Sequence, residues 1–218
     1  MSNPDSFIDE VTEEVRRDKL FGFFRRFGWI PVLAVVAIVA GAAWNEFQKS
    51  RAQTAAQAFG DTVLTALESE DDAARTAALA KIATDDPHHA AIAGFMIAAN
   101  AVAGKDQPAA LAALDAMIAD ASLASPYHDL ALLKRVMLAG AAMPAAERIA
   151  ALDDLATPGR PFRPMAMEQK AMVQIETGER AAAITGLQAV LQEPLASESL
   201  KSRVGQILAA LGVDPKAG

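Results

Sequence analysis

Residues with the chemistry for metal binding are few and lie mainly in one run. Asp85, Asp86, Pro87, His88 and His89 form the only cluster of potential metal ligands in the sequence. Neighbouring side chains on a helix point about 100° apart, so this run would need distant ligands to hold a divalent cation. Aspartate before proline is more typical of a helix start, where a carboxylate caps free backbone N–H groups. We therefore predict a capped helix start and no metal site.

Motifs for nucleotide binding, zinc hydrolysis and nucleophilic catalysis are missing from the sequence. His128 follows Ser125, Pro126 and Tyr127, but a single sequence shows no grouping of serine, histidine and acid. There is no GxxxxGK[ST], GxGxxG or HExxH motif. There is also no cysteine, which excludes disulfides, thiolate nucleophiles and cysteine-bound zinc. We therefore predict a protein that is not an enzyme, with no catalytic residue, no cofactor and no small-molecule substrate.

A proline-rich run, residues 157–164, is the main candidate for contact with a partner protein. Its three prolines prevent a helix, and Arg160 and Arg163 flank Phe162 in an acidic part of the chain. These three residues are predicted to contact an acidic or apolar partner. The alternative is a stiff connector between repeats, with the phenylalanine tucked into the adjacent hairpin.

Several apolar side chains would also suit a surface that binds varied peptides. They are Phe95, Met96, Met165, Met167 and Met172. Methionine adapts to differently shaped partners. Their helical spacing nevertheless favours packing in the core for most of them.

Charge and composition indicate an all-helical protein that does not bind nucleic acid. The chain of 218 residues has a net charge of -7, and the part after residue 27 carries 15 Lys and Arg against 21 Asp and Glu. Binding to phosphates requires a basic surface, so other proteins are the expected partners. Alanine is abundant and aromatic residues make up only 6%, which favours closely packed helices over a β-sandwich.

Residues 28–44 are predicted to form a transmembrane helix. They include no charged residue, and as a helix they would cross about 26 Å of an apolar layer. Trp29 and Trp44 stand at the two ends, where aromatic rings meet lipid headgroups. Basic residues are concentrated before the segment, which keeps the N-terminus in the cytosol. They are Arg16, Arg17, Lys19, Arg25 and Arg26.

This topology divides the chain into three parts. Residues 1–27 form a cytosolic segment with a short amphipathic helix, residues 28–44 form the membrane helix, and residues 45–218 form an exported domain. Ala37 and Gly41 make a small-xxx-small pair that would let another membrane helix pack closely. A cleaved signal peptide and a buried core helix remain alternatives for the apolar segment.

After Trp44 the sequence breaks into nine apolar-periodic runs separated by short turns. We predict helices at 46–69, 71–84, 88–103, 106–120, 126–140, 144–156, 163–177, 179–192 and 197–211. Three of them repeat one pattern: Leu111, Leu114 and Met117 correspond to Ile149, Leu152 and Leu155, and then to Ile184, Leu187 and Val190. The offsets, about 38 and 35 residues, are typical of a tetratricopeptide-like solenoid of α-hairpins, in which a C-terminal helix caps the open end.

The first part of the chain resembles a known family. The stretches SFIDEVTEEVRRDKL, FGFFRRFGWIP and WNEFQKSRAQTAAQAF, within residues 6–60, are similar to the YfgM-like family of membrane-anchored tetratricopeptide-repeat-like proteins. The resemblance implies a single-pass inner-membrane protein whose N-terminus is cytosolic and whose domain at 45–218 is periplasmic. It also implies an ancillary subunit of the Sec translocon, with translocon subunits and periplasmic chaperones as partners.

The sequence therefore predicts a non-catalytic scaffold, anchored in the membrane, whose concave surface binds other proteins. A self-associating structural membrane protein of the cell envelope is the alternative. A third possibility is a hydrolase or regulator that acts through the acidic face, which would require a pocket with convergent titratable groups.

Overall fold

In the computed structural model, residues 29–82 and 86–214 are described, apart from the side chain of Pro31. These ranges contain nine α-helices, one short 3-10 helix at Gly140–Ala142 and no strand, which confirms the all-α prediction for them. The α-helices are α1 (Trp29–Leu67), α2 (Asp72–Ala80), α3 (Pro87–Ala103), α4 (Gln107–Ala119), α5 (Ser125–Ala139), α6 (Ala145–Leu155), α7 (Arg163–Glu176), α8 (Arg180–Gln192) and α9 (Glu198–Ala210). Except at the end of α2, the bounds of α2 to α9 lie within one residue of those predicted.

The long helix α1 differs from the prediction of two helices, one at 28–44 and one at 46–69. It is continuous from Trp29 to Leu67. The expected break after Trp44 was wrong, because Asn45 and Glu46 neither remove a backbone donor nor demand a non-helical conformation. The chain divides into two units at Gly60 and Asp61, so the first unit contains most of α1 and the second contains its last turns and all later helices.

The second unit is an array of helical pairs in which each helix packs against the next one along the chain. The pairs are α3 with α4, α5 with α6, and α7 with α8, and we call their members the first and second helix of each pair. In this register α2 is a second helix and α9 is a first helix. Three apolar clusters each combine a pair with the first helix of the following pair. A single pair therefore cannot complete its own core, as expected of a solenoid.

The repeat positions deduced from the sequence form the centres of these clusters. Leu114, Leu152 and Leu187 are all buried, and so are Met117, Leu155 and Val190. The preceding positions of the pattern, Leu111, Ile149 and Ile184, are half-buried. At the end of the array, Leu200, Val204 and Leu208 of α9 complete the cluster of α7 and α8.

First helices have equivalent positions of their own, marked by small buried residues. Ala93 on α3, Ala131 on α5 and Ala166 on α7 are all buried. Their separations, 38 and 35 residues, equal the offsets of the second helices. This register allows the exposed faces of the three first helices to be compared position by position.

Each interface between consecutive helical pairs also has a polar contact at an equivalent position of the repeat. A side chain in the first turn of the second helix forms a hydrogen bond with the end of the following first helix. This bond satisfies polar groups that an entirely apolar interface would leave without hydrogen-bond partners. The contacts are Arg75 Nη1 to Asn100 Oδ1 at 2.9 Å, Gln107 Nε2 to the Leu138 carbonyl at 2.6 Å, Arg148 Nη1 to Glu176 Oε2 at 2.7 Å, and Arg180 to the Leu211 carbonyl. These contacts fix how one pair is set against the next.

Candidate functional site

A groove crosses the first helices α3, α5 and α7. Its volume is about 400 Å³, and apolar side chains form nearly all of its wall. The lining residues are Phe95, Ala98, Ala99 and Val102 of α3, Leu114 of α4, Leu130, Leu133, Lys134, Met137 and Leu138 of α5, and Met165 of α7. The size and apolar character are those of a site that binds apolar groups of a ligand.

The first helices carry apolar side chains at two sets of equivalent positions, and four of these six side chains are large and exposed. Directly before the buried alanines stand Ile92, Leu130 and Met165, and seven residues after these stand Ala99, Met137 and Met172. Ile92, Met137, Met165 and Met172 are 43%, 49%, 38% and 42% exposed. Because these positions recur on three adjacent helices, the exposed apolar side chains follow the repeat instead of being scattered singly over the surface.

The sequence predicted that most of five apolar side chains pack in the core, and two of them, Phe95 and Met167, do pack against apolar clusters. Met165 and Met172 are exposed, whereas Phe95, Met96 and Met167 are half-buried. The prediction failed for Met165 and Met172 because helical spacing alone does not say which stripe faces the core, and a first helix of a solenoid has a second apolar stripe on its open side.

Lys134 is the only charged residue in the wall of the groove. It lies between Leu130 and Met137 on α5, one turn from each, and it is exposed. Within the part of the chain that the structure describes, its ammonium group makes no ion pair or hydrogen bond. By contrast, Arg135, the next residue on the same helix, is paired with Asp115 of α4.

The predicted partner contacts Arg160, Phe162 and Arg163 lie in the connection between α6 and α7, where they make contacts within the domain. Phe162 is half-buried and packs on the apolar cluster of α5, α6 and α7. Arg163 Nε donates to the Ala156 carbonyl at 2.8 Å, and the same guanidinium is paired with Glu193. These contacts are those of the connector alternative, and a role in binding a partner stays a prediction.

Arg160 also borders a second, more polar cavity of about 440 Å³. Its guanidinium bonds to Asp129 Oδ1 at 2.5 Å and to Asp154 Oδ1 at 3.1 Å. Asp129 is buried on α5, and its Oδ2 has no hydrogen-bond partner among the described atoms. Arg160 therefore ties the connection to the preceding first helix by neutralising a buried carboxylate.

The candidate metal ligands form a helix start. Asp86 is the N-cap of α3, and its side chain accepts hydrogen bonds from the backbone N–H groups of His88 and His89. The bond from the His88 N–H is the main reason that the pKa of the Asp86 carboxyl is lowered. His88 Nδ1 lies 2.9 Å from the Tyr127 hydroxyl. Asp85 lies outside the described residues, and among those described there is no group of three or more His, Cys, Asp or Glu residues that could hold a metal ion.

The described side chains in the apolar part of α1 are exposed. Trp29 and Trp44 are 61% and 66% exposed, and Ala37 and Gly41 are exposed between them. Phe47 follows, with the Arg51 guanidinium 5.5 Å from the centre of its ring. The basic residues Arg16, Arg17, Lys19, Arg25 and Arg26 lie outside the described residues.

A search of the described residues finds no helix that combines the length and the apolar character needed to cross a membrane. The predicted span, residues 28–44, begins at Gly28, outside the described residues, and contains Pro31, whose side chain is not described. The span therefore stays a prediction.

Comparison with known proteins gives one match, which covers most of the chain. Residues 23–213 match the tetratricopeptide repeat-like domain. No curated protein and no solved structure matches the chain. The match agrees with the sequential helical pairs of α2 to α9 and includes the groove of α3, α5 and α7.

Proposed function

The chain belongs to the tetratricopeptide repeat-like domain family, and we propose that it is a membrane-anchored scaffold that binds other proteins through the groove of α3, α5 and α7. The observation that supports this proposal most directly is the apolar groove itself, with the exposed side chains of Met137 on α5 and Met165 on α7 in its wall. A domain of this family is typically non-catalytic, so binding is the function to be explained. An apolar groove is costly to leave in water, and a partner that covers it recovers that cost.

The chemistry of the groove suits partners of varied sequence. Methionine has three rotatable bonds and a polarizable sulfur, so Met137 and Met165 in the wall of the groove can adjust to differently shaped apolar side chains. The first helices that carry these methionines are fixed by their buried alanines and by the polar contacts at the interfaces between helical pairs. A rigid frame with adaptable side chains is appropriate for a scaffold that meets more than one partner.

We also propose that residues 28–44 anchor this domain in a membrane. Two features support the proposal: these residues include no charge, and the described large apolar side chains between Trp29 and Phe47 are all exposed. Side chains of this kind need an apolar surrounding, and a lipid bilayer supplies one along a whole helix. An anchor would hold the groove near membrane partners, so a modest intrinsic affinity would suffice.

The resemblance of residues 6–60 to the YfgM-like family makes the proposal more specific. In this form, the protein is an ancillary subunit of the Sec translocon in the inner membrane, with its N-terminus in the cytosol and its repeat domain in the periplasm. There the groove would link the translocon to periplasmic chaperones. The five basic residues before Trp29 support this orientation through the positive-inside rule.

The test is affinity purification from gently solubilised membranes, with all co-purifying proteins identified. Three forms are compared with the full-length protein: one without residues 1–50, the groove variant Met137→Glu, and the control Leu195→Glu. Leu195 is an exposed apolar residue outside the groove, so its change alters charge equally. We expect translocon subunits and chaperones with the full-length protein and with Leu195→Glu, loss of translocon subunits without residues 1–50, and loss of chaperones with Met137→Glu.

Two results would contradict the proposal. If Met137→Glu and Leu195→Glu retain the same partners, the groove is not the binding surface. If only the protein itself is recovered from every form, self-association becomes the leading explanation, and sedimentation of the purified protein would then show a concentration-dependent oligomer.

A further inference from the structure

We propose that the groove selects an amphipathic helix that carries an acidic residue in the middle of its apolar face, and that Lys134 pairs with this residue. The inference rests on the proposed function, because it names the partner of the same groove. On the first helices, Ile92, Leu130 and Met165 form one apolar row, and Ala99, Met137 and Met172 form a second one. A middle row of positions lies between them. This middle row contains Met96 on α3, Lys134 on α5 and Gln169 on α7.

Lys134 thus stands at the centre of an otherwise apolar surface. On its own helix it is flanked by Leu130 and Met137, and the neighbouring helices offer Val102 and Met165 to the same groove. A lysine can lay its methylene groups along such a surface and keep its ammonium group in water. When a partner covers the groove, the ammonium group loses its hydrogen bonds to water. Only a hydrogen-bond acceptor on the partner can replace these bonds.

The charges of the domain leave Lys134 available for an external partner. The arginines of the described array are held by acids or carbonyl groups of the domain itself. These contacts are Arg75 with Asp72, Arg135 with Asp115, Arg148 with Glu176, Arg160 with Asp129, Arg163 with Glu193, Arg180 with the Leu211 carbonyl, and Arg203 with Glu168. Lys134 has no such contact in the described residues. Charge complementarity therefore requires a carboxylate opposite it.

The groove also restricts the backbone of its occupant. Its wall is made of side chains on four α-helices, whose backbone N–H and C=O groups are already bonded within each helix. An extended peptide would bury its own polar backbone against apolar side chains without gaining hydrogen bonds. A helix satisfies its backbone internally and presents a stripe of apolar residues, so it is the occupant that fits.

The inference is tested with three synthetic amphipathic helical peptides that differ at one position. The peptides share a leucine-rich apolar face and carry Glu, Gln or Lys at its centre, and each bears a fluorescein label. Binding to the full-length protein in lipid nanodiscs is measured by fluorescence anisotropy, with empty nanodiscs as the blank. The protein variants are Lys134→Glu, Met137→Glu and the control Lys81→Glu, because Lys81 is an exposed lysine outside the groove.

We expect the unaltered protein to bind the Glu peptide about tenfold more tightly than the Lys peptide, with the Gln peptide between them. Lys134→Glu should reverse this order, and Lys81→Glu should leave it unchanged. The inference is overturned if the three peptides bind equally or if Lys134→Glu keeps the original order. In that case the proposed groove still stands, provided that Met137→Glu weakens all three peptides. If no peptide binds, or if Met137→Glu has no effect, both the inference and the proposed groove fail.

Discussion

The contact between Glu168 and Arg203 offers the sharpest test of how the array is held together. Glu168, on α7, is only 2% exposed and is the most deeply buried acid among the described residues. Its two oxygens accept bonds from Arg203 of α9, at 2.5 Å from Nε and 2.7 Å from Nη2. These bonds are the main reason that the pKa of the Arg203 guanidinium is raised. The change Arg203→Met removes both donors and leaves the carboxylate buried.

The size of the effect follows from the buried carboxylate that the variant leaves without donors. Keeping this charge buried without donors costs about 3–5 kcal/mol. The Arg203 side chain is 53% exposed, so water reaches the site once it is removed, and the lower value applies. We expect a loss of about 3 kcal/mol in the free energy of unfolding.

Urea unfolding of the full-length protein in detergent, followed by circular dichroism, measures this loss. The matched control is Lys201→Met on the same helix. Its partner Glu198 is 3.8 Å away and almost fully exposed, so we expect a change below about 0.5 kcal/mol.

The double variant Glu168→Met with Arg203→Met completes the test. It leaves no buried charge, so it should regain most of the stability lost in Arg203→Met. The reasoning is refuted if Arg203→Met costs no more than Lys201→Met. It is equally refuted if the double variant regains none of the lost stability, because the buried charge of Glu168 would then not be the cause of the loss.

Three further predictions concern the core, a cap and a titrating pair. Leu187→Ala should lower the free energy of unfolding by about 2–5 kcal/mol in urea, because Leu187 is fully buried, and Leu195→Ala should change it by less than about 0.5 kcal/mol. Ser197→Ala removes the acceptor of the first turn of α9 and should cost about 1 kcal/mol by thermal unfolding, whereas Ser197→Asp should retain the stability. The bonds from Arg148 lower the pKa of the Glu176 carboxyl below its unfolded value of 4.5, so the pair stabilises the fold above that pH and is lost as the pH falls through the folded value. Arg148→Met should therefore flatten the pH dependence of stability below about pH 5; an unchanged curve would exclude this pair as its source.

The helical array could be predicted from the sequence because its determinants are local. Apolar residues recur at helical spacing and short turns separate the runs, so the helix bounds follow from residues close in the chain. The repeat offset then placed Leu114, Leu152 and Leu187 at equivalent buried positions, as the structure confirms. The same reasoning failed after Trp44, since a change of environment along a helix does not by itself end the helix.

The groove was harder to predict because it depends on which helices become neighbours. Only the second helices were compared in the sequence, and those helices face the core. Comparing the first helices in the same register places Leu130 and Met165 in one row, and Met137 and Met172 in another. Ion pairs such as that of Arg160 with Asp129 join residues that are 31 positions apart in the sequence. No local sequence pattern predicts such a pair, because it depends on how the helical pairs stack.

The use of arginine in the array bears on how the groove would recognise a partner. Because most arginines of the described array pair with acids or bond to carbonyl groups within the domain, carboxylates dominate the exposed charge of the described residues. An acidic partner is therefore repelled by most of this surface and attracted at Lys134. Burial of apolar area supplies affinity over the whole groove, whereas one cation within it discriminates between positions of the bound helix. Lys134 should then affect the register and identity of the partner more than the strength of binding.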